Sequence, residues 1–334
     1  PIATLADFYP GVLIALFVIA SGVTLLQVGA NPLVAALGAS KSSHARLNFS
    51  QFFNSLGTTL GPLIAAPILL TGGVFAADAV ISDPVSRAES LRSIDLAFLA
   101  VGLFFAVVAG FIFTARKTIN AAAPAPSAED RMSPLVALKS PWAVLGALAI
   151  FFYVGSEVTI GDLLTNFLHS PEILNVPLAA AGSMVAYYWG GAMVGRLVGG
   201  LLMLTRIPAT TILIVNTAVA AALCLVVTQT SGTTAAYAAI AIGFFNSIMF
   251  PTIFTLTLER STAPIPATSG LLVFGIIGGA VLPPIAGQIA DRAATLNPVF
   301  YVPLIGYLLL VGFALAASKA RVRNAAASAT PGSH

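Results

Sequence analysis

A short set of polar side chains interrupts runs of sequence that are otherwise apolar. Gln27 and Asn31 are four apart and share one helix face, which Thr24 extends. On the following run Asn48, Gln51, Asn54 and Thr58 recur at intervals of three and four, as a polar stripe on an apolar rod. Amide side chains offer both a donor and an acceptor. Sugar hydroxyls need that pairing and need no charge. A single amide could merely bond a neighbouring helix, whereas four of them on adjacent runs favour a polyol site.

Further along, Glu157 and Asp162 stand in Tyr153-Val-Gly-Ser-Glu157-Val-Thr-Ile-Gly-Asp162. Glu157 falls near the middle of its apolar run, where surroundings of low dielectric disfavour the ion. Such a carboxyl can take a proton from one side and release it to the other; it could equally bind a hydroxyl or bridge two helices. Asp162, nearer the outer end, reads as a rim carboxylate. Tyr187, Tyr188 and Trp189 offer faces that stack on a sugar ring, or else anchors at a membrane interface. Arg196 lies seven residues beyond Trp189 and is expected to snorkel to the cytoplasmic side or pair with a helix terminus. Gly195, Gly199 and Gly200 around it suit close helix packing.

The elements that carry these residues follow from composition. The 334 residues are 58% hydrophobic and 8% charged, with mean hydropathy +0.96. A soluble domain has roughly a quarter charged residues, so the surroundings of most of this chain must be lipid. Apolar runs long enough to span a bilayer fall at 9–37, 49–71, 95–115, 142–168, 178–204, 208–228, 234–258, 267–290 and 298–317. They are continuously apolar and do not alternate, which excludes a β-barrel. The expectation is an all-α membrane protein with about nine transmembrane helices.

The connections sort by cation content. Lys41, Arg46, Arg116, Lys117, Arg131, Lys139, Arg206, Arg260, Lys319, Arg321 and Arg323 lie on one side; Arg87, Arg92 and Arg292 lie on the other. The first set marks the cytoplasm, so the C-terminus is expected inside and Pro1 outside. Asp7, Asp78, Asp83, Glu89, Asp95, Glu172 and Asp291 belong to the outer set. A start on the outer side leads us to expect preceding helices, such as three, in the whole protein. Residues 1–113 then form part of an N-terminal bundle, 114–140 a cytoplasmic linker rich in Ala and Pro, 141–318 a six-helix bundle and 319–334 a cytoplasmic tail. Six plus six around a central loop is the major facilitator layout, whose halves are parallel repeats. A modest repeat agrees: Leu26-Gln27-Val-Gly-Ala-Asn31-Pro32 in the first run and Gly243-Phe-Phe-Asn246-Ser-Ile-Met-Phe-Pro251 in the seventh.

Other chemistries find little support. The net charge of +3 gives no basis for nucleic-acid binding. Cys224 is alone, so neither a disulfide within the chain nor a thiolate cluster is expected. His44, His169 and His334 sit in separate loops or tails and read as solvated. No enzymatic constellation, metal or cofactor is expected.

The same residues carry a resemblance. Thr24-Leu-Leu-Gln27-Val-Gly-Ala-Asn31-Pro32 and Arg46-Leu-Asn48-Phe-Ser-Gln51-Phe-Phe-Asn54-Ser-Leu-Gly57 resemble the fucose/galactose/glucose permease family of the major facilitator superfamily. So do Tyr153-Val-Gly-Ser-Glu157-Val, Tyr188-Trp-Gly-Gly-Ala-Met-Val-Gly-Arg196 and Phe245-Asn-Ser-Ile-Met-Phe-Pro251. The chain is more similar to the glucose/galactose branch than to the fucose branch. The resemblance implies that 9–317 correspond to helices four to twelve of twelve, and that sugar enters with a proton through a central cavity. It carries the family's sugar and coupling positions onto Gln27, Gln51 and Asn54. Fucose permeases have a glutamate at the position of Gln27; an amide cannot titrate, so Glu157 is expected to take over. The family's other coupling acid lies on the first helix, outside this sequence, so the chain by itself is not expected to transport.

The expected protein is a monomeric hexose importer of a bacterial inner membrane, driven by protons or, as a variant, sodium. Its expected substrate residues are Gln27, Asn31, Gln51, Asn54, Tyr153, Glu157, Tyr188, Trp189 and Asn246, with Glu157 as the coupling group. Alternatives are an N-acetylglucosamine or fucose permease, a drug or metabolite exporter of the same superfamily, and a sugar sensor that binds without flux.

Overall fold

A computed structural model describes residues 9–39, 42–69, 84–122 and 133–323. Asp7, Lys41, Asp78, Asp83, the Ala/Pro run at 123–127, Arg131 and His334 lie outside the described residues. The described chain is helical, with α1 (Tyr9–Ala36), α2 (Ser43–Leu69), α3 (Pro84–Ala122), α4 (Pro141–His169), α5 (Leu178–Leu202) and α6 (Ala209–Gln229). These are followed by α7 (Gly232–Asn246), α8 (Met249–Arg260), α9 (Ile265–Phe274), α10 (Gly278–Arg292) and α11 (Tyr301–Lys319). Each apolar run is helical over its described residues, two of them in two pieces. Seven stretches among the described residues are long and apolar enough to cross a membrane. The other rods, α2 and α5, have 27 and 25 residues, and at 1.5 Å per residue each exceeds a hydrocarbon core of about 30 Å.

Two runs expected to be continuous are broken. The run 234–258 divides into α7 and α8 at Ser247-Ile248. Pro251 is the physical reason: it has no N–H to give the carbonyl four residues earlier, that of Ser247. The run 267–290 divides at a 3-10 turn, Gly275–Ile277. There a Cβ on Gly278 would meet the Phe151 carbonyl, and one on Gly275 the Ala147 carbonyl. α10 therefore approaches α4 backbone to backbone. Chain starts follow local chemistry too: Ser140 caps α4, its hydroxyl accepting from Ala143 N at 3.4 Å, with Pro141 in the first turn. Within the expected linker, α3 runs on to Ala122 and Pro134–Lys139 form a 3-10 turn.

By its contacts the chain divides into two units, 1–26 with 57–124, and 27–56 with 125–334. In the first unit the most apolar windows of α1 and α3 bury nothing inside the chain. Leu13, Phe17, Leu25, Phe104 and Phe111 all point outward, which is stable only where the surroundings are themselves apolar. In the second unit α4 is central, packed by α5, α8, α9, α10 and α11. Tyr153, Phe167, Tyr188, Phe254 and Tyr307 are its largest fully buried side chains. Residues 27–56 of this unit turn sharply at Gly38, whose φ of +88° suits glycine. Arg46 closes that turn, donating to Val34 O at 3.2 Å and Ala35 O at 2.6 Å in the last turn of α1, and to Ala39 O at 2.6 Å just beyond it.

Candidate functional site

Glu157 occupies the middle of α4 and is buried. One turn earlier on the same face, Tyr153 donates its hydroxyl to Glu157 Oε1 at 2.7 Å. From α5, the Tyr188 hydroxyl donates to the Glu157 backbone carbonyl at 3.2 Å. Asn246, the last residue of α7, donates from Nδ2 to the Tyr188 hydroxyl at 2.7 Å and accepts from the Tyr307 hydroxyl of α11 at 2.6 Å. Four helices thus converge on one chain of hydrogen bonds. Trp189 packs edge-on against Tyr188, with ring centroids 5.1 Å apart, and lies over Gly161, where a Cβ would collide with its ring.

Arg196 completes the network from α5. Its Nη2 lies 3.9 Å from Glu157 Oε1. Its Nε donates to Ser247 O at 2.9 Å. That carbonyl is the one Pro251 leaves without a helix partner, so the guanidinium fills the gap in the backbone ladder. Nη1 donates to Gln51 O at 3.1 Å and to the Ser55 hydroxyl. Gly195 makes the approach possible, because a Cβ there would strike the Phe244 carbonyl and the Ser247 side chain. Arg196 therefore does not snorkel: it is buried and holds a helix break.

Gln51 donates from Nε2 to Asn31 Oδ1 at 3.2 Å, joining α1 to α2. The other amide atom of Asn31, Nδ2, is buried without a partner among the described residues, as are the hydroxyls of Ser156, Thr159 and Ser247. Buried donors and acceptors of this kind are what ordered water satisfies in other proteins.

Of the residues singled out in the sequence, Tyr153, Glu157, Tyr188 and Asn246 meet in one hydrogen-bonded network, with Trp189 packed beside it. Asn31 and Gln51 form their own pair, reaching the network through the Gln51 carbonyl and Arg196. Gln27 is half-buried and Asn54 exposed, outside these bonds. Tyr187 is 68% exposed and Asp162 exposed, which fits an interfacial anchor and a rim carboxylate. Arg196 takes the second of its two expected roles, pairing with a helix terminus at Ser247 O, while its contact with Glu157 and the part of Tyr307 were missed; a lone Tyr in an apolar helix gives no signal of its own. The reading of His44 as a solvated loop residue is corrected. It begins α2, pairs through Nε2 with Glu259 Oε1 at 2.9 Å, and meets the Thr255 hydroxyl through Nδ1. His169 contacts Val176 O at 2.8 Å. A hollow of about 420 Å³, lined by Ile285, Gln288, Ile289, Arg292 and Ala293, shares no residue with the network.

Long apolar helices among the described residues, with a buried hydrogen-bond network around Glu157, define a multi-pass membrane protein. Residues 2–268 match the Major Facilitator Superfamily. The chain is 40% identical over 309 residues to a glucose/galactose transporter of Brucella abortus, covering 91% of this chain and 71% of that one. It is 36% identical over 310 residues to a putative glucose/galactose transporter of Helicobacter pylori, covering 90% and 72%. Its fold matches the crystal structure of the Escherichia coli fucose:proton symporter with a TM-score of 0.78 at 24% identity, over 95% of this chain and 79% of that one. The chain belongs to the Major Facilitator Superfamily, a family of transporters and not of enzymes, and within it to the group of these permeases.

Proposed function

We propose that the protein imports a hexose of the glucose/galactose type together with a proton, by alternating access. One observation carries this reading: a buried hydrogen-bond network, built from Tyr and Asn side chains, lies against a carboxylate at mid-span. Neutral donors and acceptors suit hydroxyls, and a lone membrane-embedded acid suits a proton. The names of relatives in sequence, glucose/galactose transporter and L-fucose-proton symporter, support the substrate class and the coupling ion.

In this reading Gln51, Asn31, Tyr188 and Asn246 bind hydroxyls, Trp189 covers a ring face, and Glu157 is the proton carrier. Gln27 and Asn54 supply further amides from α1 and α2. The bundles at 1–113 and 141–318 rock about the site, the 114–140 linker and the tail from 319 face the cytoplasm, and a monomer in a bacterial inner membrane suffices. Uptake of labelled glucose or galactose by the full-length protein, in cells lacking other hexose carriers, tests the site. Gln51→Ala and Asn54→Ala should each lower uptake about tenfold or more, the loss of one to two hydrogen bonds. Normal uptake in both would remove the assignment. Replacing the proton gradient by a sodium gradient should abolish accumulation; accumulation on sodium alone would replace the coupling ion.

A further inference from the structure

One face of α2 is held by the C-terminal helices along its whole cytoplasmic half. His44, Asn48, Gln51 and Ser55 follow one another at intervals of four, three and four, a single helical stripe. His44 pairs with Glu259 at 2.9 Å. Asn48 is fully buried, donates to Met203 Sδ at 3.2 Å, and lies with Phe49 over Gly200. Deeper in, the Gln51 carbonyl and the Ser55 hydroxyl both accept from Arg196. The same guanidinium reaches Glu157 with Nη2, its one anionic neighbour among the described residues.

We propose that Arg196 links the charge on Glu157 to this grip, so that proton uptake by Glu157 releases α2 and opens the cytoplasmic side. The inference rests on the proton-symport reading above. Its physics is that of a shared cation. Arginine stays charged at any working pH. With Glu157 ionised, the guanidinium is neutralised in place and can hold Ser247, Gln51 and Ser55 at once. With Glu157 protonated, the cation is buried beside a neutral carboxyl. A buried charge stripped of its counter-charge is strongly disfavoured, and relief comes by moving toward water, away from Gln51 O and Ser55. The other titratable groups around Glu157 are Tyr153 on its own helix and Tyr188 from α5; Tyr307 of α11 and Cys224 of α6 lie one contact further, beside Tyr188. Tyrosine and cysteine ordinarily ionise above the pH range of the test, so the charge on Glu157 is what changes the balance. The order suits import: a proton arriving from outside would unlock the inner side.

The test places spin labels at Ala39→Cys and Arg206→Cys, both exposed on the cytoplasmic side, in full-length Cys224→Ser protein in lipid nanodiscs. Distances are read by double electron–electron resonance at pH 8 and pH 5. The parent should show a short distance at pH 8 and at least a threefold larger long-distance fraction at pH 5. Glu157→Gln and Arg196→Met should show the long distance at both pH values. Ser55→Ala, a mild change that keeps the cation, should shift the pH 8 distribution part of the way. Glu157→Gln responding to pH as the parent does, or Ser55→Ala and Arg196→Met matching the parent at pH 8, would overturn the proposal. If Arg196→Met does not fold, the other two variants decide it. Equilibrium binding of labelled galactose to the same samples keeps the two ideas apart. No binding by the parent sinks the hexose reading, whereas normal binding with a Glu157→Gln distance that still changes with pH as the parent's does sinks only the link through Arg196.

Discussion

Asn246 serves two tyrosines at once, donating to Tyr188 and accepting from Tyr307. All three side chains are fully buried, so neither hydroxyl has water to fall back on. Asn246→Ala strands the Tyr307 hydroxyl and removes the donor to Tyr188, which keeps only its bond to the Glu157 carbonyl. An orphaned buried polar group costs about 1–3 kcal/mol, so the variant should lose about that much stability and unfold at a lower temperature in detergent. An unchanged melting temperature would show that the network contributes little. At this scale the sequence was informative wherever a polar atom is costly in lipid. Tyr153, Glu157, Tyr188 and Asn246 stood out because each had to find a partner. Which partner they found was not legible. Arg196 was visible as an intramembrane cation, yet its direction depends on the rotation of α5 and on a carbonyl freed by Pro251 in another helix. His44 looked like a loop residue because Glu259 lies more than two hundred positions away. Tyr307 offered no pattern at all.

The elements themselves were the most legible feature, because the bilayer dictates their length and hydropathy. Less legible were the breaks between α7 and α8 and between α9 and α10. Pro251 and the glycines at 275 and 278 were present in the sequence, but membrane helices often absorb such residues without a break. The contacts explain why these ones do not. α5 lies against α7 with Gly191 beside Phe244 N, Gly195 against the Phe244 carbonyl and Ser247, and Gly199 against Ile248. Gly243 on the facing helix likewise admits the Tyr188 carbonyl. A β-branched residue in this seam has no room. Gly195→Val should force α5 from α7, separate Arg196 from Ser247 and Tyr188 from Asn246, and abolish galactose binding along with a well-defined melt. Gly190→Ala is the control on the same helix: a Cβ there meets nothing within 4 Å, so its binding should stay within twofold of the parent. If Gly195→Val bound galactose equally well, close approach of these helices would not be what builds the site.

For the whole molecule, the second unit gathers residues 27–56 with 125–334, so the C-terminal part of α1 and the N-terminal half of α2 go with helices much later in the chain. Such a division could not be read from the sequence, where hydropathy separates helices from loops but does not say which helices hold each other. It places Gln51 and Asn31 within reach of Arg196, and Arg196 within reach of Glu157. The central claim is that this arrangement moves a neutral sugar with a proton carried by Glu157. The most direct measurement is labelled galactose in proteoliposomes of full-length protein under an inward proton gradient, alongside exchange of galactose with no gradient. The parent should accumulate galactose above the outside concentration. Glu157→Gln should equilibrate without accumulating, while its exchange stays within about twofold of the parent, as expected when a titrating group is lost but uncharged hydrogen bonding is kept. Accumulation by Glu157→Gln to the parental level would contradict the account.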